Sequence, residues 1–160
     1  MKKEKLTIFS SIKTIISNLF KGRVHFPKEY VGKIFTMEDG QEFTAFRHLI
    51  VDPKKVTDTP SSVFKVRFKF SKLPIQINKR LSLFPTPFLI AKPGFSEKIW
   101  TLNKDGYFQG IYQWETKEFA ESYPQSFIFK MMTKRSSAGT LSFEVIPDTL
   151  LSNYVESLLN

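Results

Sequence analysis

Four aromatic residues in the second half of the chain stand at a spacing that can do chemistry. Phe108, Tyr112 and Trp114 fall at even intervals in the run 107–115, with Gly110 between them. In an extended strand that interval puts all three rings on one face, and a glycine among them leaves room for a close neighbour or a ligand. Trp100 belongs to the preceding run, 95–103, which the turn Lys104-Asp105-Gly106 joins to the first as a hairpin. The plainer reading of these rings is a core beneath helices. The functional reading is an apolar pocket in which a tyrosine hydroxyl and an indole N–H direct a polar substrate atom. Trp100 and Tyr112 are then the orienting pair, and Phe108, Trp114, Tyr123 and Asn103 line the binding wall. Arg80, from a neighbouring element, is the candidate to stabilise a developing oxyanion.

Other chemistries find little support. The chain has no Gly-rich phosphate loop, no paired-His metal motif and no serine flanked by glycines at a nucleophile elbow. It has no cysteine, which removes disulfides, thiolate metal sites and Cys nucleophiles together. The two histidines, His25 and His48, both precede the aromatic region, and His48 reads as a half-buried strand residue. Neither a metal nor a cofactor is expected. The net charge of +9 is spread along the chain: eleven basic against seven acidic residues in 1–60, thirteen against eight in 61–160. Nucleic-acid binding normally concentrates such charge on one face or arm, so nucleic acid is not the expected partner.

The elements that must position the rings follow from periodicity. In 63–70, Phe64, Val66, Phe68 and Phe70 alternate with Lys65, Arg67 and Lys69, a half-buried strand. A helix is expected over 74–84, ended by Pro85-Thr86-Pro87, and an apolar segment follows at 88–91. After the hairpin, Thr116 caps a second helix whose buried stripe is Phe119, Tyr123, Phe127 and Met131, with a kink at Pro124. A last strand spans 140–146, and a short helix with Leu150, Leu151, Tyr154, Val155, Leu158 and Leu159 ends the chain. Strand, helix, strand, strand, helix, strand is the order of a ferredoxin-like α+β half-barrel. It predicts a four-stranded antiparallel sheet with two helices on one face. The other face, with Lys65, Arg67, Gln109, Gln113, Ser142 and Glu144, needs a cover, most simply a second copy in a homodimer with Arg67 pairing Glu144.

Residues 1–60 read as an extension to a main domain of 61–160. The extension holds an amphipathic helix over 5–20 and a hairpin over 31–51, with a loop at 52–62 between it and the domain. Helix 5–20 packs on a protein surface or lies on a membrane surface with its lysines toward the headgroups. No apolar run reaches the roughly 18 residues a span needs, and a cytoplasmic protein is expected.

From about 60 to 146 the chain resembles the dimeric α/β-barrel superfamily, and within it monooxygenases of the antibiotic-biosynthesis type. The likeness is carried by 64–70, by Lys92-Pro93-Gly94-Phe95-Ser96-Glu97-Lys98-Ile99-Trp100, by 107–115 and by the helix over 123–132. It implies a homodimer and, in catalytic members, oxidation of electron-rich aromatics without metal or flavin, using Trp, Tyr, Asn and Arg side chains in an apolar pocket. Trp100, Tyr112, Trp114 and Arg80 match by type. Haem-using relatives rely on an axial His in the barrel domain, where this chain has none. The leading expectation is a small-molecule-binding half-barrel, a cofactor-independent monooxygenase for an aromatic or quinol-like substrate. The alternatives are a non-catalytic binding or membrane-surface protein docked through 5–20, and a module that only dimerises.

Overall fold

The computed structural model describes residues 22–52 and 60–160. The segment 5–20, with its membrane-surface reading, lies outside them, as do residues 53–59 of the loop. In chain order the elements are β1 (Val24–His25), β2 (Ile34–Thr36), β3 (Glu42–Val51), β4 (Ser62–Phe68), α1 (Ile75–Leu81), α2 (Thr86–Ile90), β5 (Phe95–Leu102), β6 (Phe108–Trp114), α3 (Lys117–Ser122), a 3-10 turn (Tyr123–Gln125), α4 (Phe127–Lys134), β7 (Ser142–Ile146) and α5 (Leu151–Glu156).

The strands form one antiparallel sheet in the order β1-β3-β5-β6-β4-β7, with β2 also alongside β3. The stretch β7-β4-β6-β5 with its helices is the α+β ferredoxin-like unit. The sheet is wider than four strands because β3 pairs with β5 from Thr44 to Ile50. Segments on both sides of residue 60 therefore build one sheet. A bulge between Ala45 and Arg47 reverses the alternation of β3. Phe43 and Ala45 face one side of the sheet, whereas Leu49 and Val51 join the core on the other.

The helix-covered face holds Phe64, Val66 and Phe68, as the alternation requires. Phe64 is its hub, with ring centroids 5.8 Å from Tyr112, 5.1 Å from Tyr123 and 5.9 Å from Phe129. Burial of one such ring contributes about 1.5–3 kcal/mol. The expected stripe of the second helix is broken. Thr116 Oγ1 accepts from Phe119 N at 3.2 Å and caps α3, but at Pro124 the chain passes through the 3-10 turn. Ser126 Oγ then accepts from Phe129 N at 3.2 Å and caps a new helix. The break resets the helical phase, so Phe127 is 71% exposed and Ile128 and Phe129 are buried instead. Pro87 likewise sits inside the first turn of α2, where its missing N–H costs nothing.

The other face finds its cover within the chain. Val63, Ile99 and Ile111 are buried against Phe35, Met37 and Phe43 of the N-terminal segment and Leu151, Val155 and Leu158 at the C-terminal end. This is the role expected of a second copy. The expected Arg67–Glu144 pair does not form, because the register sets Glu144 opposite Lys65 and Ser142 opposite Arg67. Lys65 Nζ lies 2.6 Å from Glu144 Oε1 and 3.1 Å from Glu38 Oε2, and Arg67 Nη1 lies 2.6 Å from Asp39 Oδ2. No helix among the described residues is long and apolar enough to cross a membrane.

Candidate functional site

A cavity of about 60 Å³ lies between the sheet and the helices. β5 contributes Lys98 and Trp100, β6 contributes Phe108, Gly110 and Tyr112, and β4 contributes Phe68. Thr86 and Leu89 close it from α2, and Tyr123, Ile128, Met131, Met132 and Arg135 close it from the second helical layer. Strand pairing explains the grouping: Trp100 stands opposite Gly110, and Lys98 stands opposite Tyr112.

Two residues that line this space carry an unpartnered polar atom, whereas the unpartnered Trp114 Nε1, Ser62 Oγ and His48 Nδ1 belong to residues that do not line it. Trp100 Nε1 and Thr86 Oγ1 are buried with no hydrogen bond among the described residues. A buried donor left unpaired costs about 1–3 kcal/mol, so such atoms in a cavity mark the place of a polar ligand atom or a water. The cavity has room for either, since one water needs only about 10–15 Å³.

Lys98 is the least expected member of the wall. It is 7% exposed, with its Nζ 4.2 Å from the Trp100 ring centroid and 4.4 Å from that of Tyr112. Among the described residues no carboxylate pairs with it. Burial, reinforced by the nearby Arg47 guanidinium, pushes its pKa well below the usual lysine value. The two ring faces favour the ammonium by about 2 kcal/mol or more once desolvated, against a desolvation penalty of several kcal/mol. Burial outweighs them, so Lys98 gives up its proton more readily than an exposed lysine. Burial, with Tyr123 beside it, raises the Tyr112 hydroxyl well above the ordinary phenol value. Tyr123 is raised by burial too, against a lowering hydrogen bond from Tyr112. Both therefore remain protonated.

The structure brings Trp100, Tyr112, Phe108 and Tyr123 together at the cavity, and leaves three other candidates outside it. The Trp114 ring packs 5.1 Å from Tyr123 and 5.6 Å from Phe95 and supports the wall without lining it. Asn103 serves its own turn: its Oδ1 accepts from Asp105 N at 3.0 Å and Tyr107 N at 2.8 Å, and its Nδ2 donates to Gln41 Oε1 at 3.1 Å. Arg80 is exposed on α1, because the residue two before it, Asn78, takes the buried side of that helix. The cavity's guanidinium is that of Arg135, held by a 3.0 Å bond from Nη2 to Asn78 Oδ1 and stacked 4.7 Å over Phe70. Lys98 was within reach of the sequence, since it stands two residues before Trp100 and so shares its face. Thr86 and Arg135 carried no such signal.

A larger, polar groove of about 520 Å³ on the opposite sheet face is lined by Glu38, Asp39, Lys65, Arg67 and Tyr154 among others. Its charges neutralise one another: Lys65 pairs with Glu38 and Glu144, and Arg67 with Asp39. The smaller cavity, with its unsatisfied groups, is the better candidate.

No protein-family profile matches the chain, and no curated protein does. Solved structures do match. An uncharacterized ferredoxin-fold protein from Listeria monocytogenes, related to antibiotic biosynthesis monooxygenases, aligns at 13% identity over 89% of each chain, with a TM-score of 0.52. A heme-degrading enzyme from the same species aligns at 13% identity over 88% of this chain and 94% of its own, with a TM-score of 0.51. The chain has their ferredoxin-like fold. It also aligns with an anthrone oxidase-like protein at 17% identity over 69% of its length, with a TM-score of 0.49, and spans 55% of that protein. At such identities the likeness is one of fold, and the chemistry of this ferredoxin-like protein rests on its own side chains.

Proposed function

We propose that the chain binds a small, single-ring, electron-rich aromatic in the cavity and promotes its oxidation by dioxygen, as a monooxygenase that needs no bound cofactor. The observation that carries this reading is the pair of unpartnered atoms, Trp100 Nε1 and Thr86 Oγ1, in a chamber walled by aromatic rings. A phenolic or quinol hydroxyl satisfies both while its ring fills the apolar space. Trp100 donates to the substrate oxygen, and the Arg135 charge favours its anionic form, which gives an electron to dioxygen more readily. The electrons come from the substrate: a quinol takes one oxygen atom of O2 into a ring C–H bond and is left as the hydroxyquinone, while the other oxygen atom leaves as H2O, so one O2 is consumed per quinol.

Cavity size sets the substrate's size. About 60 Å³ is well under the roughly 150 Å³ that admits benzene. Entry of one ring therefore requires Met131 and Met132 to swing aside, which their flexible thioether chains allow. A polycyclic substrate does not fit. Neither does a haem, the group that one structural neighbour degrades. The cavity lies far below the roughly 300–1,000 Å³ of ordinary ligand sites. No histidine lines it, and His48 faces the other side of the sheet beside Ile99.

The test is oxygen uptake by purified protein with hydroquinone, beside fluorescence titration with phenol. The reading expects saturable uptake and binding, both lost in Trp100→Leu. Uptake equal to that of buffer, with binding intact, leaves a non-catalytic binding protein. Absence of both removes the reading.

A further inference from the structure

Lys98 has a chemistry that the oxidation does not use. Its amine lies at the wall of a largely enclosed apolar chamber, against the Trp100 and Tyr112 rings, with no carboxylate among the described residues to hold it as a cation. Solvent-facing lysines are kept charged and unreactive by water. A buried, unpaired lysine is instead the arrangement that yields a nucleophilic amine.

We infer that Lys98 is a reactive amine that condenses with a small aromatic aldehyde or ketone in the cavity to form an imine. This rests on the reading of the cavity as a single-ring aromatic site. The Nζ lone pair attacks the carbonyl carbon, and the C=O electron pair moves to oxygen. A proton passes from nitrogen to that oxygen, giving a carbinolamine. The carbon–oxygen bond then breaks, water leaves, and C=N forms, so aldehyde plus amine equals imine plus water. Tyr112 and Tyr123, both held protonated by burial, line the same chamber, and one of them can lend the departing oxygen a proton and recover the remaining nitrogen proton as C=N forms, so neither loses a proton overall. When the imine nitrogen takes up a proton, its charge lies where the Trp100 and Tyr112 ring faces attract a cation. Of the charged groups nearby, Arg47 from β3 disfavours an ammonium at Lys98, and Arg135 at the end of α4 lines the same chamber.

The experiment is incubation of the full chain with benzaldehyde near neutral pH, reduction with borohydride, and peptide mass spectrometry. Benzyl-lysine is expected at Lys98 at least ten times faster than at any other lysine, and not at position 98 in Lys98→Met. Titration with benzyl alcohol, which has no carbonyl, reports cavity binding separately. If benzyl alcohol binds and Lys98 is not labelled, or is labelled no faster than exposed lysines, the inference is overturned and the aromatic site stands. If neither compound engages the cavity, both fall.

Discussion

The ring of Tyr112 lies folded back against Gly110, so close that a Cβ at position 110 would stand 2.5 Å from Tyr112 Cε2 and 3.0 Å from its hydroxyl oxygen. No real contact of that kind survives, and a glycine is what allows the tyrosine to form this side of the cavity. Gly110→Ala must therefore push the ring into the chamber or away from Tyr123. The expected cost is about 1–3 kcal/mol in urea unfolding, with phenol affinity falling at least as far as in Tyr112→Phe. An unchanged affinity would show that the ring position is irrelevant to binding.

The buried Lys98 makes stability depend on pH in a defined direction. In the unfolded chain its pKa is about 10.4, and burial lowers it well below that in the folded state. Below that value the unfolded chain binds the extra proton and the folded one resists it, so stability falls as pH falls through this window. Lys98→Met removes the penalty. The variant should be more stable than wild type by about 1–3 kcal/mol near pH 7, the gain shrinking toward pH 10.5. Thermal melts across that range check it, and a variant less stable at every pH would contradict it.

On the opposite face, Glu38 has the reverse linkage. Burial alone would raise its pKa, but hydrogen bonds from Tyr154 and Lys65 hold it below the usual carboxylate value. Its contribution is full above the unfolded value of about 4.3 and is lost as pH falls through the folded one. The Glu38 side chain is 55% exposed, which limits the effect to roughly 1 kcal/mol or less. Melts between pH 6 and 3 should show a shallower decline in Glu38→Gln than in wild type.

The C-terminal helix is part of the core. Leu151 is fully buried on the face that covers Val63, Ile99 and Ile111. Leu151→Ala should cost about 2–5 kcal/mol, read from chemical denaturation. A loss below 1 kcal/mol would mean that the second face does not depend on this cover.

The ferredoxin order was legible because β4, β5 and β6 obey simple rules: alternation, and a Lys104-Asp105-Gly106 turn between the last two. Trp100, Phe108 and Tyr112 were legible for the same reason, since strand period alone decides which rings share a face. Arg80 was misplaced because helix phase near prolines is hard to read, and Asn78 took the inward position. Phe127 failed alike, since Pro124 restarts the helix at Ser126. The wide sheet and its internal cover depend on pairings between distant residues, such as Thr44 with Leu102, which leave no local pattern. Lys98 went unnoticed because a lysine in a strand is ordinarily taken to face water.

The most direct measurement is a crystal structure of the protein soaked with hydroquinone. The account predicts one ring in the chamber between Trp100 and Met132, a hydroxyl within hydrogen-bond distance of Trp100 Nε1 and Thr86 Oγ1, and Met131 or Met132 moved to admit it. A chamber that stays closed, or a ring found instead in the groove beside Lys65 and Arg67, would contradict it.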